Sequence, residues 1–293
     1  MIIKQKIGVI GNGFVGGAVK YGFSPNTGCD AEVRVYDKNP SKSTHTLEET
    51  VNESDYIFLS VPTPANNDGS INITILENAL SDIEEIYDGK RENAILIRST
   101  VVPGTTWSLQ EKYSRLNLLF NPEFLTERSA NFDFINQSRF IVGSNGQPFN
   151  EEKSDGLVKL FKERFGNTIA VLQTNYETAE MIKYMSNCFF ATKVSFLNEM
   201  YQVAKNCNVD WVEAVSGFVS DGRIGHSHMN VPGPDGKFGF GGSCFPKDVQ
   251  AMINYGESIG VEMDVLSAVW KKNLEVRPEQ DWKKLKGRAV TDG

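Results

Sequence analysis

Residues 238–248, Phe238-Gly239-Phe240-Gly241-Gly242-Ser243-Cys244-Phe245-Pro246-Lys247-Asp248, gather more reactive side-chain types than any other stretch of this 293-residue chain. The glycines leave room for backbone to come close to a ligand, and Cys244 stands where a loop turns into a helix. Helix N-termini favour the thiolate, the form in which cysteine is a nucleophile. Lys247 adds positive charge there, and Asp248 follows Cys244 by about one helical turn. The plainer alternative is a structural cysteine in a glycine-rich loop. A second pair, Lys183 and Asn187, lies four apart and so on one face of a helix. An ammonium and an amide aimed together suit a developing alkoxide, although Lys193 and Lys205 nearby show how ordinary a helical lysine is. In Asn121-Pro122-Glu123-Phe124-Leu125-Thr126-Glu127, two carboxylates beside apolar side chains offer a general base; the same glutamates also suit a helix N-terminus. Cys29, Cys188 and Cys207 are scattered without a CxxC pair. With His45, His226 and His228 the only histidines, no metal site is expected.

These groups need a scaffold, and the first half alternates strand-like with helix-like segments. Strands are expected at 7–10, 32–37, 56–61, 94–98, 116–120, 139–142 and 168–172, with a helix over 74–87. That is the pattern of an α/β fold with a Rossmann-like, doubly wound parallel sheet. Gly11-Asn12-Gly13-Phe14-Val15-Gly16 follows the first strand and opens a helix, the arrangement that presents free N–H groups to a pyrophosphate. Asp37 ends the second strand, where a carboxylate bonds a ribose 2′-hydroxyl and repels a 2′-phosphate, which favours NAD over NADP. Lys42, also counted as a cofactor contact, is the one residue that argues the other way. Val61-Pro62-Thr63-Pro64 and Ser99-Thr100-Val101-Val102-Pro103-Gly104-Thr105 sit at further strand ends, where ligands bind in open α/β sheets. Their hydroxyls could order a water or face a cofactor, and they suit plain turns equally well.

From 176 to 206 there is neither Pro nor Gly, and apolar residues recur at Ala179, Ile182, Met185, Phe189, Phe196, Met200 and Val203. That periodicity predicts one long helix, of the kind that joins domains or packs on a second subunit. Shorter helices are expected at 210–219, 247–258 and 270–285, around a Gly/Pro-rich stretch at 222–242. The boundaries are therefore 1–174 for the dinucleotide-binding domain and 175–293 for the long helix with a smaller helical domain. With 30 basic against 37 acidic residues and a net charge of −7, general nucleic-acid binding is excluded. No apolar run reaches the roughly 18–20 residues that span a bilayer. The N-terminus, Met1-Ile2-Ile3-Lys4-Gln5-Lys6, has no secretory apolar region, so a soluble cytoplasmic protein is expected.

Taken in order, 11–16, 99–105, 121–130, 180–187 and 239–248, with Arg223-Ile224-Gly225 as a shorter sixth match, these segments resemble the nucleotide-sugar 6-dehydrogenase family. Gly-Gly-Ser-Cys-Phe-Pro-Lys-Asp is its most specific element. The resemblance implies a four-electron oxidation of a sugar C6 alcohol to a carboxylate with two NAD+, UDP-glucose being the first choice of substrate. GDP-mannose and UDP-N-acetylhexosamines follow it. Asp248 and Thr100 would position the water that takes the hydroxyl proton, while Lys183 and Asn187 steady the oxyanion. Cys244 would carry a thiohemiacetal and then a thioester, which Glu123 would help hydrolyse. Glu127 and Lys247 would contact NAD, with Val61, Pro62, Thr63 and Ser99 lining the same cleft. Glu123, Phe124, Leu125, Lys183, Asn187 and the loop Phe238, Gly239, Phe240, Gly241 would hold the nucleotide sugar. Arg223 would reach the substrate of a second subunit in a homodimer built on the long helix. Three departures stand out. Arg128 replaces the usual Gly, the segment 226–237 is about five residues longer than usual, and the chain is expected to lack the family's second Rossmann-like domain. Two rivals remain: a two-electron dehydrogenase of the β-hydroxyacid type, which has no use for Cys244, and a non-catalytic NAD or nucleotide-sugar binding protein.

Overall fold

The structure, a computed structural model, describes residues 5–291. Residues 1–4 of the N-terminal stretch discussed above, and 292–293, lie outside the described part. The described residues form two compact units, one of 5–63 and 73–183, the other of 64–72 and 184–291. The division falls inside the long helix rather than at its start.

The first unit holds strands β1 (Lys6–Ile10), β2 (Glu32–Tyr36), β3 (Tyr56–Leu59), β4 (Ala94–Ile97), β5 (Leu118–Phe120), β6 (Arg139–Ser144) and β7 (Ala170–Asn175). They form one sheet in the order β2-β1-β3-β4-β5-β6-β7. Neighbours run parallel except β5 and β6, which pair antiparallel through Phe120 and Gly143. So the expected parallel sheet is interrupted at one junction. Its helices are α1 (Phe14–Gly22), α2 (Leu47–Asn52), α3 (Thr74–Ile86), α4 (Thr105–Lys112), α5 (Ala130–Ile135), α6 (Pro148–Phe165) and the first turns of α7 (Tyr176–Asn206).

β3 and β4 are buried at every residue, as central strands covered on both faces should be. Because successive side chains alternate faces, their apolar runs feed two cores. Phe58, Leu96 and Leu119 pack with Val19, Phe134 and Phe161 from α1, α5 and α6. Ile57, Leu59, Ile95 and Ile97 pack instead with Val51, Leu80 and Leu109 from α2, α3 and α4. β5 begins two residues later than expected because Leu116 is still in the turn, its N–H bonded to Tyr113 O at 3.0 Å.

The second unit contains the rest of α7, then α8 (Trp211–Val219), α9 (Phe245–Ser258) and α10 (Asp264–Val276). α9 starts two residues before the expected 247, since Pro246 fits a first helical turn, where no N–H is required of it. The helix expected over 270–285 is displaced: α10 begins at Asp264 and stops before Arg277-Pro278, a dipeptide that disfavours helix. A separate short turn occupies Asp281–Lys284. The 226–237 segment is anchored, with Met229 and Val231 buried against Leu197, Tyr201, Trp211 and Val215.

Candidate functional site

In the first unit, Gly11 ends β1 with φ +87, and a Cβ there would stand 2.5 Å from Ser60 O. Only glycine suits that turn. Gly13, the N-cap of α1, has nothing within 4 Å of an added Cβ, and no side chain caps the helix. The open N-terminus of α1 therefore fits a pyrophosphate. Asp37 accepts from Asn12 N at 2.6 Å and Asn39 N at 2.8 Å, which fixes its carboxylate at the end of β2. Lys42 is exposed, and its carbonyl accepts from Asn12 Nδ2. Phe14 packs on the core beside the loop. At the neighbouring strand ends, Ser99 Oγ donates to Val61 O at 2.6 Å and Thr63 Oγ1 to Thr100 O at 2.8 Å. These bonds tie the two loops together, beside exposed Pro62 and half-buried Thr100.

Glu123 and Lys183 form a buried pair. Lys183 Nζ donates to Glu123 Oε1 at 2.9 Å and to Glu123 O at 2.6 Å, and Leu125 N donates to Glu123 Oε2 at 2.7 Å. The ammonium also lies 5.5 Å from the Phe124 ring centre. Glu127 and Arg128 are exposed in a short turn beyond them.

Two further buried charges sit beside this pair, and residue types alone did not single them out. One turn before Lys183, Glu180 is wholly buried and accepts from Gly104 N, Thr106 N and Thr106 Oγ1. It thereby clamps the start of α4 and the loop that carries Thr100. Burial pushes its carboxyl up to about 7, against the pull of those three donors. Arg98 bonds Asn121 Oδ1 and lies 5.7 and 5.8 Å from the Phe58 and Phe134 ring centres. Its Nε and Nη2 have no hydrogen-bond partner. Burial pulls its pKa down to about 10, and the negative charge of Glu123 opposes that.

In the second unit, Cys244 is the N-cap of α9, half-buried, with its sulfur 3.8 Å from Ser243 Oγ. Asp248 N donates to Cys244 O, closing the first turn. The Asp248 carboxylate, 1 % exposed, accepts from Asn187 Nδ2 at 2.6 Å and from Lys247 Nζ at 2.5 Å. Lys247 is therefore the ion partner of Asp248. Burial, reinforced by the charge of Asp248, pushes the neighbouring Cys188 thiol up to about 12. That leaves Cys188 an inert core residue.

Phe240 is buried in an aromatic cluster with Phe245 and Trp270, whereas Phe238 is part-exposed against Tyr201. Arg223 stands on the surface in a forked ion pair with Asp221. Among the described residues no three His, Cys, Asp or Glu side chains gather to hold a metal ion, and no helix is long and apolar enough to cross a membrane.

Residues 34–163 match the NAD binding domain of the UDP-glucose/GDP-mannose dehydrogenase family, and 177–275 match its central domain. The chain belongs to that family. A UDP-glucose 6-dehydrogenase of Rickettsia prowazekii (strain Madrid E) is 34% identical over 241 residues, 81% of this chain and 53% of the relative. One from Bacillus subtilis (strain 168) is 32% identical over 241 residues, covering 80% and 49%. The chain thus spans about half the length of these curated relatives. Among solved structures, a UDP-glucose dehydrogenase from the hyperthermophilic archaeon Pyrobaculum islandicum superimposes with a TM-score of 0.80. It is 29% identical over 96% of this chain and 70% of that one.

Proposed function

We propose that this chain oxidises the C6 alcohol of a nucleotide sugar, UDP-glucose first among them, to the carboxylate through a thioester on Cys244. The observation that carries the reading is Cys244 at the N-cap of α9 with Asp248 one turn on, gripped by Asn187 and Lys247. Gly11, Gly13, Gly16 and the N-terminus of α1 would hold the NAD pyrophosphate, and Asp37 the ribose hydroxyl. NAD+ held there would supply the hydride acceptor for each of the two oxidations. Asp248 and Thr100 hold the water that accepts the hydroxyl proton, and Lys183 and Asn187, one turn apart on α7, steady the alkoxide. The Cys244 thiolate adds to the aldehyde carbon to give a thiohemiacetal, which the second oxidation turns into a thioester. Glu123, kept in place by Lys183 and Leu125 N, activates the water that cleaves the C–S bond and returns the thiol. Phe124, Leu125 and the 238–241 backbone contact the substrate. A cytoplasmic location suits this chemistry, since a reducing compartment keeps a lone thiol out of disulfides.

A second copy of the chain is the proposed partner, with Arg223 available to the other subunit's substrate. Met185, Phe189, Phe196 and Val203 form a stripe along α7 and are 63, 64, 50 and 53% exposed, a face that a second helix would cover. Sedimentation velocity is expected to give a dimer, with Phe189→Asp shifting it to monomer. The reaction itself is tested by counting NADH per UDP-glucose oxidised. Two are expected, and one would mean a two-electron dehydrogenase. Cys244→Ser should abolish steady turnover; an unimpaired variant ends the thiol mechanism. NAD binding without turnover on any nucleotide sugar points to a binding protein instead.

A further inference from the structure

The glycines before Cys244 have an occupant within the chain itself. An added Cβ at Gly241 would collide with the Arg277 guanidinium and Asp281 Oδ1, and one at Gly239 with Asn273 Oδ1. Arg277 closes α10 with its side chain 3% exposed. Each side of its planar fork is engaged: Nε to Asp281 Oδ1 at 2.6 Å, Nη2 to Asp235 Oδ2 at 2.6 Å, and Nη1 to Phe238 O at 3.2 Å. The other Asp281 oxygen accepts from Gly242 N at 3.2 Å. Asn273, one turn earlier, takes Phe240 N and gives to Phe240 O, while Asn198 on α7 takes Gly239 N. The five backbone polar groups of 238–242 that these bonds involve thus all end on α10, the residues that follow it, or α7. Asp235 belongs to the 226–237 segment, which thereby joins the same clamp.

We infer that Arg277, held between Asp235 and Asp281, is the positioning residue of the glycine-rich loop and fixes where Cys244 stands at the head of α9. The loop lies against a buried guanidinium whose Nε, Nη1 and Nη2 each meet a different acceptor residue. Lysine cannot reproduce that fork. What the thiol does in turnover rests on the proposed function; how firmly it is held does not.

The test reads the thiol directly. Iodoacetamide alkylation of Cys244 is followed by peptide mass spectrometry in the full chain, with exposed Cys207 as the internal reference. Arg277→Lys and Gly241→Ala are each expected to raise the Cys244/Cys207 rate ratio about tenfold, the equivalent of one charge-assisted hydrogen bond. Asp235→Ala, at a half-exposed carboxylate, should raise it in the same direction and keeps the test available if a buried variant misfolds. Because both substitutions break one contact, the double variant Gly241→Ala/Arg277→Lys should fall well short of their product. A general loss of packing would instead open buried Cys188 to alkylation as well, and that outcome overturns the inference too. An unchanged ratio in all three single variants overturns the inference, as does full multiplicativity in the double. If the ratio responds while the parent oxidises no nucleotide sugar, the clamp stands and the proposed function falls.

Discussion

Glu180→Gln separates two opposing effects on one buried carboxyl. Two backbone N–H groups and a hydroxyl donate to it at 2.7, 2.8 and 2.6 Å, which favours the anion. Complete burial favours the neutral acid and prevails, raising the group from 4.5 to about 7. At about 1.4 kcal/mol per unit, that shift is worth up to about 3 kcal/mol of pH-dependent stability. The sign follows from proton uptake: between 4.5 and about 7 the native state keeps a proton that the unfolded chain has released. Its stabilisation is therefore complete below pH 4.5 and is lost as the pH rises through 7. Glutamine cannot titrate, so the variant lacks this slope while bearing a constant cost from an amide N–H facing a donor. Urea unfolding followed by circular dichroism at pH 5, 6, 7 and 8 gives the difference between parent and variant. The parent's advantage should shrink by about 2–3 kcal/mol across that range. A difference constant to within about 0.5 kcal/mol would mean that the three donors hold the carboxylate ionised, and the reasoning fails.

Lys183→Met leaves the Glu123 carboxylate buried without its ion partner and should cost about 3–5 kcal/mol in urea unfolding, most of it recovered by adding Glu123→Gln. Gly11→Ala places a methyl against Ser60 O at a positive φ, so it should lower stability by about 2 kcal/mol or more and weaken NAD binding measured by calorimetry. Asp37→Ala should weaken NAD and narrow its margin over NADP, read as the ratio of their KM values.

Much of the first unit was legible because its physics is local. The runs Tyr56-Ile57-Phe58-Leu59 and Ala94-Ile95-Leu96-Ile97 are apolar at every position, and only a strand buried on both faces needs that. Gly11 was readable because its turn geometry admits few residue types, and the place of Asp37 because a strand ends just before it. The clamps were not. Glu180 and Asn273 occur at helical positions and Arg277 just past a helix end, where such side chains usually meet water, and only the tertiary fold shows what they face. Gly239 and Gly241 signal a close approach, and within the chain the groups that an added Cβ would meet are Asn273 and Arg277. The displaced α10 has a simpler cause, since Pro278 already marked a stop that helical composition across 270–285 obscured.

Ala65 N donates to Ala289 O and Thr291 N to Ala65 O, so the short excursion 64–72 is completed by residues far downstream, although its flanks belong to the sheet unit. During synthesis the sheet can collapse early, while this excursion waits on the ribosome for its pairing partner. A fragment expressed up to the middle of α7 would therefore carry a raw backbone edge at 64–72, and shortening that excursion is what should make the isolated sheet unit well behaved. A stop codon placed before 289 would unpick a bridge begun in the first quarter of the chain.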